Sequence, residues 1–200
     1  VNYYGKLLKG SLEMKARYAK ACWKKLDIGD SLLSDDDMNR MFNNAEQRTG
    51  HRYATMDVSG QGKDNAVIWI WDGYHVENIH ATSGKTAKSL VDWAARVLAL
   101  EKVPTENFLF DAIGVGFAFT GYFEGSINFV SNARPSEDSK VEFDGKSLNI
   151  YSNAKAQVVG DFVDFVKNKD GTGECGISIN PDILEKRFNG KTVSDYLFEE

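Results

Sequence analysis

The sequence predicts an α/β protein in which helices flank a mixed β-sheet. Short apolar runs bounded by turn residues follow one another from residue 52 onward, and the dipeptide Asp72-Gly73 marks a tight hairpin between two of them. An amphipathic stretch over 82–102 then separates the first three runs from a fourth. Antiparallel hairpins followed by a helical crossover to a parallel strand describe a mixed sheet covered by helices.

The composition is that of a folded globular protein. The 200 residues suffice for one domain with a full core, and the net charge of −5 argues against a general nucleic-acid coat, which is usually basic. Cys22 and Cys175 are the only cysteines, so the sequence indicates neither a disulfide framework nor a cysteine zinc site. No apolar run approaches the roughly 20 residues of a membrane span, and we expect no membrane partner.

Residues 1–50 are expected to form a helical lead-in. Apolar residues recur loosely at helical spacing from Tyr3 to about Leu26, and Ser34 or Asp35 can cap a second short helix. Basic residues crowd the first of these helices, and a run of aspartates follows it. This charge pattern is typical of a solvated helix before an acidic loop, or of a contact surface for DNA or an acidic partner.

The strands and helices after residue 50 are predicted from apolar runs and from amphipathic spacing. The strands are placed at 52–58, 66–72, 74–81, 107–110 and 126–131, and the main helices at 82–102 and 153–167. Further elements are predicted as a short helix at 114–123, a loop or small hairpin at 132–150, a brief strand near 177–179 and a helix at 191–200. Trp69 and Trp71 share a strand face, which favours packing over base stacking.

Two aspartates end strands that this order brings side by side. Asp57 ends the first strand, and Asp111 ends the strand that returns after the helical crossover. Two carboxylates brought together repel each other unless a cation lies between them, and their hard oxygens suit Mg²⁺ or Mn²⁺. With further oxygen ligands, such a pair can hold two metals for phosphodiester hydrolysis. The alternative is that each aspartate merely ends its strand and binds backbone amides in a turn.

A glycine-rich turn carries a third candidate, Asp64. Gly60 and Gly62 let the chain reverse, and the exposed amides of such a turn can face a phosphate or a water. Asp64 can return to the same edge of the sheet as Asp57 and support the site there. It can equally be an ordinary hairpin residue.

Two other signals do not indicate chemistry. The segment 83–86, SGKT, ends like a phosphate-binding loop, yet Ile79 stands where that motif requires its earlier glycine. His51, His75 and His80 lack metal-ligand spacing, so structural roles are expected for them.

Several segments together resemble one protein family. DVSGQGKDNAV at 57–67 and FLFDAIGVG at 108–116 resemble the C-terminal nuclease domain of the large subunit of tailed-phage terminases, the DNA-packaging motor. ARYAKACWKKLDIGDSLLSDDDMNRMFN at 16–43 is similar to the segment that joins the motor ATPase to the nuclease, and YSNAKA at 151–156 is similar to a helix start in that domain. The order and separation of these segments strengthen the resemblance.

The resemblance implies a ribonuclease H-like fold with acids at three positions, which Asp57, Asp64 and Asp111 match. These would be the catalytic residues, with Mg²⁺ or Mn²⁺ held by Asp57 and Asp111. The implied partners are double-stranded DNA and, in the full motor, the portal protein and the small terminase subunit, in the cytoplasm of a bacterial host cell. Residues 1–50 would link to an absent upstream ATPase domain, and 51–200 would be the nuclease domain, truncated at its C-terminus.

The chain departs from the family pattern in one respect. The family completes its metal site with a third acidic residue on a late helix, often in a serine-proline-aspartate context, and this chain has no such sequence. Asp161, Asp164 and Asp195 lie on predicted helices outside that context. We therefore expect the missing ligand beyond Glu200.

The leading hypothesis is a metal-dependent endodeoxyribonuclease that cuts concatemeric viral DNA. The basic segment at 6–25 and the missing third acid favour an alternative, a non-catalytic docking module for the portal or DNA. A third hypothesis is an actin-like or sugar-kinase-like nucleotide binder, because DVSGQG and DAIGVG both resemble phosphate-contacting turns. Proteins of that class usually need two related lobes, and thermal stabilisation by ATP would reveal one.

Overall fold

The computed structural model describes residues 32–45, 47–59, 64–143, 146–167 and 175–198. The chain divides into two units, Val1–Met38 and Asn39–Glu200. The predicted helix over 3–26 with its basic residues, and the glycine-rich turn at 60–62, lie outside the described residues. Among the described ranges, no helix combines the length and apolar character needed to cross a bilayer.

Helix α1 (Asp35–Asn43) begins with the cap that the sequence predicted. The buried carboxylate of Asp37 accepts hydrogen bonds from the amide and the hydroxyl of Ser34, both at 2.8 Å. The Asp37 amide donates in return to Ser34 Oγ at 3.1 Å. This reciprocal capping box satisfies amides that the helix itself leaves without partners.

After α1, the second unit contains ten short strands, three further helices and four 3₁₀ turns within its described residues. The strands are β1 (Arg52–Asp57), β2 (Asn65–Asp72), β3 (His75–Ser83), β4 (Phe108–Asp111), β5 (Ile127–Phe129), β6 (Lys140–Phe143), β7 (Lys146–Asn149), β8 (Ser178–Ile179), β9 (Arg187–Phe188) and β10 (Lys191–Thr192). The helices are α2 (Ala87–Glu101), α3 (Ala154–Lys167) and α4 (Val193–Phe198). The 3₁₀ turns are Thr105–Asn107, Gly114–Phe119, Glu137–Ser139 and Pro181–Glu185.

The main sheet is mixed, as the sequence predicted. Its strand order is β5-β4-β1-β2-β3-β8. The first three strands of the chain pair antiparallel, whereas β4 lies parallel to β1 and β5 lies parallel to β4. The predicted small hairpin near 132–150 is confirmed as the antiparallel pair β6 and β7. At the far edge, β8 joins β3 in parallel.

Helix α2 covers one face of this sheet. Alternate residues of β1, β2 and β4 turn to that face, as the two-residue period of a strand requires. Leu90, Ala94 and Val97 of α2 pack against them. The buried core on this face comprises Ala54, Met56, Ala66, Ile68, Ile70, Leu90, Val91, Ala94, Val97, Leu98, Val103, Phe108, Phe110, Phe119 and Phe123.

The opposite face packs against the C-terminal segment. Val67, Trp69 and Trp71 of β2 lie against a second buried cluster that includes Ile183 and Val193. The prediction that the two tryptophans pack rather than stack on bases is therefore confirmed. The indole nitrogen of Trp71 also donates to the hydroxyl of its neighbour Thr55 at 3.0 Å.

Three predicted helices differ in the structure, and one of them, at 191–200, begins only at Val193 because Lys191–Thr192 forms β10 and pairs with β9. The predicted helix at 82–102 begins only at Ala87, because β3 continues to Ser83 in register with β2 and Thr86 caps the helix, accepting from Ser89 N at 3.3 Å. The helix-like run at 114–123 forms a 3₁₀ turn over Gly114–Phe119 instead. Thr86, the last residue of the SGKT segment, thus serves as the N-cap of α2.

Candidate functional site

The candidate site lies at one end of the strands of the main sheet, where β1, β3 and β4 end and β2 begins. This end of the sheet is the rim. Strands β1 and β4 are parallel neighbours, and their register pairs Met56 with Phe110. Asp57 and Asp111 are the next residue of each strand. Neighbouring strands lie about 4.8 Å apart, so the two aspartates are adjacent on the rim. This is the arrangement that the strand order predicted.

Both aspartates also point to the same face of the sheet. Met56 and Phe110 are buried in the core beneath α2. Because successive side chains alternate between faces, the residue after each of them turns to the opposite face. There Asp57 is exposed and Asp111 is partly exposed, so the pair of carboxylates faces solvent.

Asp111 also organises the turn that follows it. Its Oδ1 accepts a hydrogen bond from the amide of Ile113 at 3.0 Å. The amide of Ala112 donates to the carbonyl of Phe129 on β5 at 2.8 Å. The hydrogen bond from Ile113 is the kind of contact expected if Asp111 merely binds backbone amides in a turn. It also orients the carboxylate. A carboxylate has two oxygens and several acceptor sites, so this contact is compatible with a bound cation.

Asp64 reaches the same rim from the neighbouring strand. Asp57 pairs with Val67 of β2, and Asp64 lies three residues before Val67. At about 3.4 Å per residue, Asp64 is about 10 Å further along the strand direction. It is exposed and lines a cleft rather than standing beside the Asp57–Asp111 pair. Its supporting role therefore stays a prediction.

The two carboxylates fit a hard divalent cation as a partial ligand set. Mg²⁺ is commonly bound by one or two carboxylates, with waters and substrate phosphates completing its coordination. Among the described residues, no three His, Cys, Asp or Glu side chains come together as a metal site. The structure thus brings two candidate ligands together, and no third acidic candidate joins them in the ranges that it describes.

Of the three helical acids considered from the sequence, Asp195 has a capping role. Its Oδ2 accepts from the Thr192 amide at 2.7 Å, and its own amide donates to Thr192 Oγ1 at 3.1 Å, which forms a capping box for α4. The hydrogen bonds from Thr192 lower the pKa of the Asp195 carboxyl. Asp161 is exposed on α3, and Asp164 is partly buried there.

Structural roles are expected for all three histidines, and two of them have structural partners. His75 is buried, and its Nδ1 lies 2.8 Å from the hydroxyl of Ser178. The Nε2 of His80 lies 2.6 Å from a carboxylate oxygen of Glu101. Glu101 also accepts from Arg52 at the start of β1, so Glu101 lies beside the end of β1 opposite the rim.

A hairpin near the C-terminus reaches the rim, and the sequence analysis did not anticipate it. Strands β9 and β10 pair through Phe188 and Lys191, with Asn189 and Gly190 as a two-residue loop. Asn-Gly between two short strands is a strong local signal for such a hairpin, and it could have been recognised. Its contact with the rim could not have been recognised from the sequence, because that contact joins Asn189 to Asn65, 124 positions away.

Solved structures of the nuclease domain of the large terminase subunit gp2 of bacterial virus Sf6 are similar to this chain. That domain matches with a TM-score of 0.60 at 16% identity, covering 81% of this chain and 86% of that one. A mutant with manganese and β-thujaplicinol matches with a TM-score of 0.61 at 15% identity over the same shares. A mutant with calcium matches with a TM-score of 0.60 at 16% identity, covering 76% and 74%.

The chain has the fold of a terminase nuclease domain. No protein-family model and no curated protein sequence matches it, so the likeness to the terminase nuclease domain is one of structure. The predicted ribonuclease H-like sheet, with three antiparallel strands followed by parallel crossover strands, is confirmed. In this terminase nuclease fold, Asp57 and Asp111 are neighbours at the ends of two parallel strands.

Proposed function

We propose that this chain is the metal-dependent endonuclease domain of a phage DNA-packaging terminase large subunit, cutting concatemeric viral DNA by two-metal phosphodiester hydrolysis. The observation that carries this proposal is the adjacency of Asp57 and Asp111 on one solvent-facing side of parallel strands. The fold shared with the Sf6 nuclease domain supports it, as do the manganese and calcium present with that domain.

In this proposal, Asp57 and Asp111 hold divalent cations, Mg²⁺ or Mn²⁺. Such ions, when bound, activate water for attack and stabilise the leaving oxygen of a phosphodiester. The hydrogen bond from Ile113 to Asp111 fixes the direction of that carboxylate. Asp64 supports the site from the adjacent part of the rim.

The partners and location belong to the same proposal. The substrate is double-stranded DNA, and the portal protein and small terminase subunit act with the full motor in the cytoplasm of a bacterial host cell. Residues 1–50 link to an ATPase domain upstream, and 51–200 form the nuclease domain. The third acidic ligand belongs to a part of the protein outside the described residues.

The decisive experiment measures nicking of supercoiled plasmid in Mg²⁺ and Mn²⁺. Asp57→Asn and Asp111→Asn keep the size of each side chain and remove its charge. Losing a residue that only hydrogen-bonds a metal ligand costs up to about 100-fold in activity, so losing a ligand itself should reduce nicking by about 100-fold or more. Asp92→Asn is the matched control, because Asp92 is an exposed acid on α2, which covers the other face of the sheet. Nicking by Asp57→Asn at the rate of the parent chain would overturn the proposal.

A non-catalytic docking module for the portal or DNA is the second candidate. It is favoured by the finding that, within the described ranges, no third His, Cys, Asp or Glu joins the aspartate pair. Mn²⁺ titration calorimetry combined with the nicking assay separates the two candidates. Binding of duplex DNA with neither Mn²⁺ binding nor nicking would support docking, whereas Mn²⁺-dependent nicking that Asp57→Asn abolishes supports the nuclease.

A further inference from the structure

Three large apolar side chains are exposed on the connection that follows Asp111. They are Ile113, Phe117 and Tyr122. Phe117 is 75% exposed, the largest exposed fraction among the large apolar side chains that the structure describes. Isolated apolar residues are common on protein surfaces, so exposure alone identifies no site. Phe117 differs from the other exposed residues in its position beside the aspartate pair.

Phe117 lies next to the strand end that carries Asp111. Its neighbour Gly116 packs so closely against the Asp111 carbonyl that a Cβ atom there would overlap the oxygen. A contact of at most about 4 Å, followed by about 3.8 Å between consecutive Cα atoms, places the Phe117 Cα within about 8 Å of that oxygen. One strand of B-DNA carries a phosphate about every 3.4 Å along the helix axis, so this distance corresponds to about two nucleotides.

The backbone on both sides of Phe117 is held in place. Its carbonyl accepts hydrogen bonds from the amide of Thr120, at 3.3 Å, and from the Thr120 hydroxyl. Gly116 precedes it in its close contact with the strand end. Two residues later, the ring of Phe119 is fully buried, 5.5 Å from that of Phe110. The backbone from which the Phe117 ring projects is therefore fixed before a ligand binds, which lowers the entropic cost of a contact with the ring.

The ring of Phe117 contributes little to the packing of the fold. Most of its surface faces solvent, and among the residues that the structure describes no other aromatic ring contacts it. The ring is therefore available to a ligand that reaches the aspartate pair.

The chemistry of DNA determines which of its parts such a ring can bind. Phosphates are charged and bind cations, whereas every base has a π-face that can stack on an aromatic side chain. In an intact duplex, neighbouring base pairs cover these faces, so a protein side chain reaches one only where a base step is opened. A protein partner on Phe117 would instead cover the end of β4, which the phosphodiester must reach. The position of Phe117 therefore favours a base as its ligand.

We propose that Phe117 stacks on a base that is opened next to the phosphodiester held at the Asp57–Asp111 pair, so that the chain prefers duplex DNA with a locally opened base step. The inference rests on the proposed function, because the aspartate pair determines which nucleotides lie beside Phe117. Phe117 is a substrate-binding residue in this account and takes no part in bond cleavage.

The test compares the binding of two duplexes of equal length, one fully paired and one with a short mismatched bubble. Fluorescence anisotropy without divalent ions gives both dissociation constants while no cutting occurs. Base–aromatic stacking strengthens binding by about 5-fold to 150-fold per base, so the parent chain should bind the bubble duplex at least about 5-fold more tightly. Phe117→Ala should lose this preference. Because the result is a ratio, a fraction of unfolded protein affects both constants equally and leaves the ratio unchanged.

Two further variants and a control separate stacking from general apolar contact. Phe117→Tyr keeps an aromatic ring and should keep the preference for the bubble duplex. Phe117→Leu keeps an apolar side chain without a ring and should lose it. Leu100→Ala is the matched control, because Leu100 is 70% exposed near the end of α2, where the carbonyl of Glu101 accepts from Arg52 at the end of β1 opposite the rim.

A parent chain without the preference, or a Phe117→Ala or Phe117→Leu variant that keeps it, would overturn the inference. An equal loss in Leu100→Ala would also overturn it. The nuclease proposal fails separately. If Asp57→Asn nicks plasmid normally while Phe117→Ala loses the preference, the stacking contact stands and the metal site does not.

Discussion

Gly116 lies directly against the backbone carbonyl of Asp111. A Cβ atom at position 116 would come within 1.7 Å of the carbonyl oxygen and 2.8 Å of the carbonyl carbon. The Gly116 amide also donates to the carbonyl of Ile113 at 3.3 Å, which tightens the turn after β4. Only a residue without a side chain lets the 3₁₀ turn pack under the strand end that carries Asp111. The glycine spacing of FDAIGVG therefore has a steric reason.

Gly116→Ala should destabilise the fold and move Asp111. Overpacking of a filled site costs about 1–3 kcal/mol of the free energy of unfolding, which urea denaturation would measure. Gly121→Ala is the matched control in the same connection, because a Cβ there meets nothing within 4 Å. Its effect should stay within about 0.5 kcal/mol. Equal stability of the two variants would contradict the close contact.

Phe119 should anchor the same turn to the core. Its ring is fully buried and lies 5.5 Å from the ring of Phe110 and 5.7 Å from that of Phe123, centre to centre. Removing such a ring leaves a cavity, so Phe119→Ala should cost about 3–5 kcal/mol in urea unfolding. Phe117→Ala removes the same ring from a side chain that is 75% exposed, and it should change stability by less than about 0.5 kcal/mol.

The capping box of α4 should make the stability of the folded chain depend on pH. The hydrogen bonds from Thr192 lower the pKa of Asp195 in the folded chain. A depressed folded pKa stabilises the fold above the unfolded pKa of an aspartate, about 3.9, and this stabilisation is lost as the pH falls through the folded value. Asp195→Ala should therefore be less stable than the parent chain at pH 6, and the difference should disappear in acid. Thermal melts across this range would show it, and a difference that persists below the folded pKa would contradict it.

Gly190 should be required for its backbone conformation rather than for space. Its φ is 86°, yet a Cβ there would meet nothing within 4 Å. Gly190→Ala should cost about 1–2 kcal/mol, the penalty of the left-handed region for an L-residue. Gly190→Asn should cost less, because asparagine tolerates that region. Urea unfolding of the two variants gives the comparison, and an alanine variant as stable as the parent chain would be contrary evidence.

Most of the main sheet could be predicted because its signals are local. Alternation along NAVIWIWD identifies β2 and its two packed faces, and Gly73, which follows Asp72 and forms the two-residue loop with Tyr74, places β3 beside it. Gly73 has a φ of 60°, as that turn requires. The parallel pairing of β1 with β4 follows from the crossover through α2.

Local patterns were less informative where tertiary contacts compete with them. Thr82 and Ser83 belong to the helical pattern of α2, yet pairing with Ala66 and Asn65 keeps them in β3. The run after Asp111 has helical spacing, but Gly116 must approach the Asp111 carbonyl, and the tighter 3₁₀ turn satisfies that approach.

The sequence by itself determined the first five strands of the main sheet and that Asp57 and Asp111 end two of them, because strand periodicity and turn residues act over a few neighbouring positions. Only the tertiary structure decided that Asn189 and Lys191 stand at the same rim. The bond from Asn189 to Asn65 joins residues 124 positions apart. Contacts of that separation depend on how the C-terminal segment packs on the β2–β3 face as a whole, and no local pattern specifies them.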